Sequence, residues 1–201
     1  MHLVKYGVFV YNLNDTIHRA FVYNFKDTVF MTLLEQLIDK YLAAANDDEK
    51  AEIISADFDF LSDNNKWDFL LTLIENSEAY DLVKVNVYKI LEIADLTSLD
   101  ITDIKSRILQ ALKVETDDMV KEYGFNALTW NFSSFPDVID YCMDTVANEE
   151  EDENIRHCAF GVLTKSKDLQ KINSLRDKLL QIKGFAKYAT TFFKDRDNGI
   201  R

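Results

Sequence analysis

The chain has 201 residues, 47% hydrophobic and 12% aromatic, which is enough apolar material for one folded unit with a buried core. It contains only 5 Gly and 1 Pro, whereas a many-stranded β protein needs such residues at its turns. The composition therefore excludes a disordered chain and predicts an all-α protein.

The formal net charge is −12, and it is unevenly distributed. Residues 1–65 carry 5 basic and 11 acidic groups, residues 66–167 carry 10 and 20, and residues 168–201 carry 8 and 4. Such a body repels phosphate, so the charge disfavours nucleic acid and anionic membranes and favours a basic protein partner. The alternative that the charge serves only solubility stays open.

The chain shows no secretory signal and no apolar run long enough to span a bilayer, which takes about 18 residues. Its two cysteines, Cys142 and Cys158, have no metal-type spacing to histidine. We therefore expect a cytoplasmic protein with free thiols and no bound metal or cofactor.

The N-terminal part, residues 1–65, is predicted to be a helical cap. Residues 1–26 are compatible with a short strand at 8–11 or with a helix from 16 to 25, and both alternatives stay open. Apolar residues then recur at helical spacing from Asp27, a candidate N-cap, to about Ala45. A break at 46–49 and a further helix over 50–61 complete this part.

Residues 66–165 carry a pattern written three times, about thirty-six residues apart. The copies begin at Asp81, Asp118 and Glu153, and in each an acid is followed by an aliphatic residue, a basic residue, an aromatic and a leucine at fixed offsets. Repetition on this scale predicts three stacked helical hairpins. We expect turns at 76–80, 114–117 and 148–152, second helices at 81–94, 118–130 and 153–165, and Pro136 in the first turn of a helix.

The C-terminal part, residues 166–201, is predicted to be a second helical cap. Two helices, about 168–182 and 185–195, are separated by Gly184, which suits a left-handed helix end.

Each position of the repeated pattern has a structural explanation. The acid at the start of the second helix is expected to complement the helix dipole and to cap N–H groups of the first turn, and the basic residue after it can pair with an acid of the neighbouring repeat. The aliphatic residue and the leucine, eight positions apart, share one buried face. Small residues at Gly124 and Ala159 allow helices to approach closely.

This pattern resembles the HEAT repeat of the armadillo-like superfamily over residues 66–165. The resemblance implies a right-handed α-solenoid of antiparallel helix pairs whose second helices line a concave docking face. The chain departs from the family pattern at Glu153, at Gly124 and in the aromatic residue beside the small position. The resemblance names no ligand.

Two surfaces are candidates for binding. The first is the acidic rim formed by the intra-repeat turns, where five successive carboxylates must be solvated or meet a cation. The second is the outward face of the second helices, which either docks a partner or packs against the terminal helices. The candidate partner-binding residues are Glu78, Asp81, Glu115, Asp117, Asp118, Glu122, Tyr123, Asn126, Glu149, Glu150, Glu151, Asp152 and His157.

Sequence signatures of enzymes are lacking. The glycines never cluster into a phosphate loop, there is no H-E-x-x-H or paired-cysteine motif, and the acidic run lacks the alternation of a calcium loop. A HEAT-like DNA glycosylase is disfavoured because it needs a cationic face.

The sequence therefore favours a protein-binding inhibitor without catalytic activity. Its most concrete form is an immunity protein that neutralises a basic, nuclease-like bacterial toxin by steric and electrostatic blockade, as in contact-dependent growth inhibition. The rival interpretations are a general scaffold or adaptor, and a lyase or hydrolase with a dispersed site.

Overall fold

The computed structural model describes residues 31–199, which form α-helices without any β-strand. The predictions for residues 1–30, including the strand at 8–11 and the Asp27 cap, lie outside the described residues. The helices are α1 (Leu33–Ala43), α2 (Asp47–Ile53), α3 (Lys66–Glu75), α4 (Asp81–Ile93), α5 (Ile101–Val114), α6 (Asp118–Asn131), α7 (Pro136–Ala147), α8 (Glu153–Lys165), α9 (Leu169–Ser174), α10 (Arg176–Gln181) and α11 (Ala186–Asp197).

Helix boundaries in the repeat region agree closely with the predictions. Helix α8 begins at Glu153 and ends at Lys165 as expected, and Pro136 lies at the start of α7. Asp117 and Asp152 are the N-caps of α6 and α8, because their carboxylates accept hydrogen bonds from N–H groups of the first turn. The expectation that Asp118 and Glu153 cap these helices is therefore wrong by one residue, because the acid before each of them is the cap, and α4 begins after Tyr80 without a side-chain cap.

The N-terminal boundaries differ from the predictions. Helix α1 begins after Thr32, which forms a reciprocal capping box with Glu35. The break expected at 46–49 is shorter, because the Asn46 side chain accepts from the Glu49 N–H and α2 already starts at Asp47. A π-helical turn, Ile54–Phe58, ends this segment before the predicted end at 61.

The C-terminal part also differs in detail. The helix expected over 168–182 is divided at Leu175 into α9 and α10, and the last helix runs from Ala186 to Asp197. Gly184 has φ of 84°, which confirms a left-handed residue between α10 and α11.

Helices pack as consecutive hairpins. Helix α3 pairs with α4, α5 with α6 and α7 with α8, while α4, α6 and α8 lie side by side in chain order. On the other layer α3 contacts α5, and α7 contacts α9. Helix α2 packs on α4, so the N-terminal helices continue the same row. The handedness of the stack and its membership of the HEAT class stay predictions.

The buried seam follows the repeated pattern. Its aliphatic and leucine positions are fully buried in all three copies, at Val83, Leu91, Val120, Leu128, Ile155 and Leu163. Gly124 is tightly enclosed, since a Cβ there would lie 2.3 Å from Leu112 Cδ2. The predicted close approach at this position is confirmed. Among residues 31–199, no helix has the length and apolarity required to traverse a membrane.

Candidate protein-binding surface

Ion pairs join successive hairpins along the edge that carries the intra-repeat turns. Lys84, in the first turn of α4, donates to Glu115 Oε2 of the next turn at 3.0 Å, and the two side chains are only 4% and 9% exposed. Lys84 also lies 3.7 Å from Asp81 of its own helix. The predicted pairing of the basic residue with an acid of the neighbouring repeat is confirmed here.

The second rung of this ladder repeats the first one unit later. Lys121 Nζ donates to Glu151 Oε1 at 2.9 Å, thirty residues further along the chain. Because each rung joins one turn to the next, the turns at 115–117 and 148–152 lie along the same edge of the molecule. The expected alignment of these bends holds for this part of the chain.

The electrostatic environment of Glu115 favours its ionised form. Burial alone would raise its pKa, but hydrogen bonds from the N–H groups of Asp117 and Thr116 and from Lys84 lower the pKa below the ordinary value. Glu115 is thus a structural anion whose bonds are all satisfied within the protein.

Sequence reasoning missed a partial match to the pattern in the N-terminal cap, where the acid and the basic residue recur but the aliphatic and leucine positions hold Glu49 and Asp57. Asp47 and Lys50 have the same spacing as Asp81 and Lys84, and they occupy the first turn of α2. Lys50 bonds Asp47 at 2.8 Å within its own helix, and Tyr80 of the next unit donates to Asp48 at 3.1 Å. The thirty-four-residue offset between the two copies was the available signal.

The ladder ends at Arg156. Its Nε donates to the Val146 carbonyl at 3.0 Å, its guanidinium lies over the Phe185 ring, and Nη2 is buried without a hydrogen-bond partner. No carboxylate within residues 31–199 forms an ion pair with it. The third basic residue of the pattern therefore packs beneath an aromatic ring.

The candidate acids of the rim fall into two groups. Glu115 and Glu151 are held by lysines and Asp117 and Asp152 by helix N-termini, so their bonding is largely internal, although Asp152 remains exposed. The acids of these turns whose side chains face solvent more freely are Glu78, Asp118, Glu149, Glu150 and Glu153, with Asp81 half exposed. These exposed acids define the acidic rim from here on.

The outward face of α4, α6 and α8 is covered at both ends. Asn86 is buried against α2, where it donates to the Ala51 carbonyl at 2.8 Å. The His157 ring packs against Phe185 and Tyr188, with ring centroids 4.7 and 4.9 Å apart, and its Nε2 lies 3.8 Å from Glu153 Oε1. Packing against terminal helices, one of the two alternatives for this face, thus applies to its ends.

The centre of this face is open and carries exposed apolar side chains. Trp130 is 64% exposed with Lys165 5.0 Å from its ring, and Ile93 is 75% exposed. Tyr123 and Asn126 are partly exposed, and Lys89 Nζ lies 4.9 Å from the centroid of the Tyr123 ring. We call this region the second-helix window; it contains Lys89, Glu92, Ile93, Glu122, Tyr123, Asn126, Thr129, Trp130, Cys158, Gly161, Thr164 and Lys165.

A shallow cleft of about 260 Å³ lies between the second and third turns. Its lining includes Tyr141, Asp144 and Asn148 beside the ladder residues Lys121 and Glu151. Burial raises the pKa of Tyr141 to about 12, so its phenol stays protonated at neutral pH. The lining also includes Thr145, whose hydroxyl donates to the Tyr141 carbonyl.

The thiols are not activated. Burial, together with the negative charges of Glu122 and Asp152, raises the pKa of Cys158 to about 11, and burial also raises the pKa of Cys142. In the part of the chain from 31 to 199, no group of three or more His, Cys, Asp or Glu side chains could hold a metal ion.

Comparison of the chain with protein-family models, with curated protein sequences and with solved structures finds no match.

Proposed function

We propose that this protein is a non-catalytic inhibitor that binds a basic protein partner through its acidic rim. In its concrete form it is an immunity protein with HEAT-like helical hairpins, which acts in the cytoplasm on a cationic, nuclease-like bacterial toxin. The observation that carries the proposal is the separation of the turn acids into two groups. Four are held internally, while the exposed ones other than Asp81 remain on the same edge and form no ion pair with a lysine or arginine of residues 31–199.

The rim is most concentrated at the third turn. Glu149, Glu150 and Glu153 are exposed, and Asp118 is exposed at the start of the neighbouring helix α6. Like charges at this density repel one another, so a cationic surface brought against them gains favourable interactions with all of them. A nuclease active-site cleft, which must attract phosphate, is such a surface.

Blockade would then follow from geometry and charge alone. The internal ladder holds consecutive turns in register, and the rim presents its carboxylates on a rigid edge that needs no reordering on binding. Electrostatic attraction accelerates the encounter, and the bound helical body excludes the toxin's substrate.

The test uses the toxin domain encoded by the gene immediately upstream, coexpressed with this protein in a growth-protection assay. Protection is expected with the wild-type chain. In purified form, the E149Q/E150Q variant should associate about fivefold more slowly at low salt, with a flatter salt dependence, because two steering charges are lost. The matched control D39N/D103N removes two exposed acids away from the rim and should keep the wild-type rate.

Absence of protection and of binding would refute the inhibitor proposal. Equal on-rates for E149Q/E150Q and D39N/D103N would remove the rim from the mechanism.

A second candidate function is that of a scaffold or adaptor, and the second-helix window supports it. Two large apolar side chains, Trp130 and Ile93, are exposed there. Tryptophan in particular is a frequent anchor in protein interfaces. Partner binding that is insensitive to salt and lost in Trp130→Ala would favour the scaffold over the charge-driven inhibitor.

A further inference from the structure

The most unusual feature of the second-helix window is a glycine in the middle of α8. A helical glycine costs about 1 kcal/mol relative to alanine, so it calls for a local reason. Gly124 has one, because its enclosure by Leu112 leaves no room for a Cβ. Gly161 has no heavy atom within 4 Å of a Cβ position, apart from its own helix backbone and its two chain neighbours. Packing among residues 31–199 therefore does not explain it.

The space above Gly161 lies at the α8 side of the window, one helical turn from His157, which packs against Phe185 and Tyr188. The repeat offset that relates α4, α6 and α8 gives Lys89, Asn126 and Gly161 equivalent positions, and the window is closed on one side by α2 and on the other by Phe185 and Tyr188. Glycine is favoured where a backbone must be approached closely by a ligand. The row thus leads from a lysine through an asparagine to an open depression.

The surroundings of this depression are of two chemical kinds. Toward the turns, the exposed charged residues of α6 and α8 are Asp118, Glu122 and Glu153, all acidic and continuous with the rim. Negative charge near α8 is also felt by Cys158, whose pKa is raised by burial and by Glu122 and Asp152. Toward the other end of the helices the exposed indole of Trp130 lies against Lys165.

We propose that the second-helix window binds a basic amphipathic helix of the partner protein, which inserts a side chain over Gly161. Its Lys or Arg residues face Glu122 and the rim acids, and its apolar side chains contact Trp130 and Ile93. This inference deepens the proposed function, because it rests on a basic protein partner and extends the contact from the rim onto the helices. Helices in grooves are a common recognition mode, read by anchors on one face.

The test uses two synthetic 16-residue helical peptides as probes. Both carry the same leucines on one face, while one has lysines and the other glutamates on the polar face. The lysine peptide should bind and perturb backbone NMR signals of residues 119–130 and 157–165. Binding of the glutamate peptide with equal affinity would overturn the proposal.

Variants at Gly161 provide the steric control. G161W fills the depression and should weaken binding of the lysine peptide at least tenfold. G161A should bind within about twofold of the wild type, because one methyl group does not fill the space. Q110W, which adds the same indole at an exposed position of α5, should leave binding unchanged. If G161W and the wild type bind the lysine peptide with equal affinity, the peptide does not insert a side chain over Gly161.

A second variant keeps the test valid if G161W fails to fold. E122K reverses an exposed charge beside the depression, so it should weaken binding of the lysine peptide and strengthen that of the glutamate peptide. Unchanged preference would overturn the inference. Self-association in sedimentation analysis that G161W abolishes would show a second copy as occupant and would also overturn it.

The peptide assay and the growth assay separate the two proposals. Peptide binding at the window without protection against the toxin would refute the proposed function and leave this inference standing. If E149Q/E150Q weakens protection and G161W leaves it intact, the proposed function is supported and the helix-binding window is refuted.

Discussion

The buried pair Lys84–Glu115 gives the most direct test of the ladder. Three variants form a thermodynamic cycle: K84M, E115Q and the double variant. Methionine keeps the unbranched apolar stem of lysine without the ammonium group, and glutamine keeps an oxygen that can accept from the N–H groups of Thr116 and Asp117. The cycle therefore isolates the charge–charge contact at 3.0 Å.

The expected magnitude follows from burial. Removing one partner of a buried ion pair costs about 3–5 kcal/mol, and K84M should be near the lower limit because Glu115 keeps two backbone hydrogen bonds. E115Q should cost about 2 kcal/mol, since Lys84 loses a charged acceptor and retains only Asp81 at 3.7 Å. The double variant should also cost about 2 kcal/mol, because it leaves no unpaired charge, which gives a coupling energy of about 3 kcal/mol.

Urea denaturation at pH 7, followed by circular dichroism, measures these free energies of unfolding. The control is K50M, which removes a partly exposed lysine whose ion pair lies within one helix, and its denaturation midpoint should stay at the wild-type value. A coupling energy below about 0.5 kcal/mol, typical of exposed pairs, would refute the argument that the ladder joins the hairpins.

Two further predictions concern the helical glycines and the carboxylate of Glu115. G124A should destabilise the protein by about 1 kcal/mol in thermal unfolding, because a clash with the buried Leu112 side chain outweighs the gain in helix propensity. G161A should stabilise it by about 0.5–1 kcal/mol, because no packed neighbour opposes the same gain. A change in the free energy of unfolding with the same sign for both variants would contradict the packing at Gly124. The pKa of Glu115 is lowered in the folded state, so its stabilisation is complete above the ordinary pKa of 4.5 and is lost as pH falls through the folded value. The stability difference between the wild type and E115Q should therefore be constant above about pH 5 and shrink below it, and a difference that grows toward acid pH in urea titrations would refute the assignment.

Much of the fold could be predicted because the helix starts and the buried positions of each helix are determined by residues close to one another in the sequence. Helices α6 and α8 begin at the pattern acids Asp118 and Glu153, and the buried Val120 and Leu128 have helical spacing. The N-terminal unit was harder to recognise, since the partial match at Asp47 and Lys50 is followed by a π-helical turn that shortens the second helix. Its spacing was visible, but its aliphatic and leucine positions hold acids.

The candidate surface could be predicted only in outline. An acidic side chain in a turn reads the same whether it bonds a neighbouring lysine or faces solvent, so sequence alone did not separate Glu151 from Glu150. The same limit applied to His157, whose contacts come from residues about thirty positions away. Long-range contacts decide which of the repeated residues remain available to a partner.

The unpaired Arg156 has a consequence for how the chain can lengthen. The acid that would complete its rung belongs in the bend before α11, where the chain has Lys183, and a ring lies over the guanidinium instead. An extra hairpin copied from residues 101–131 and inserted before residue 136 would carry both a donor lysine and an acceptor glutamate, so electrostatic continuity would survive. The same insertion after residue 165 would place its glutamate within reach of Arg156 but would separate that side chain from Phe185. Duplication of a hairpin is thus compatible with the ladder between α6 and α7, whereas an insertion after α8 would break the contact between Arg156 and Phe185.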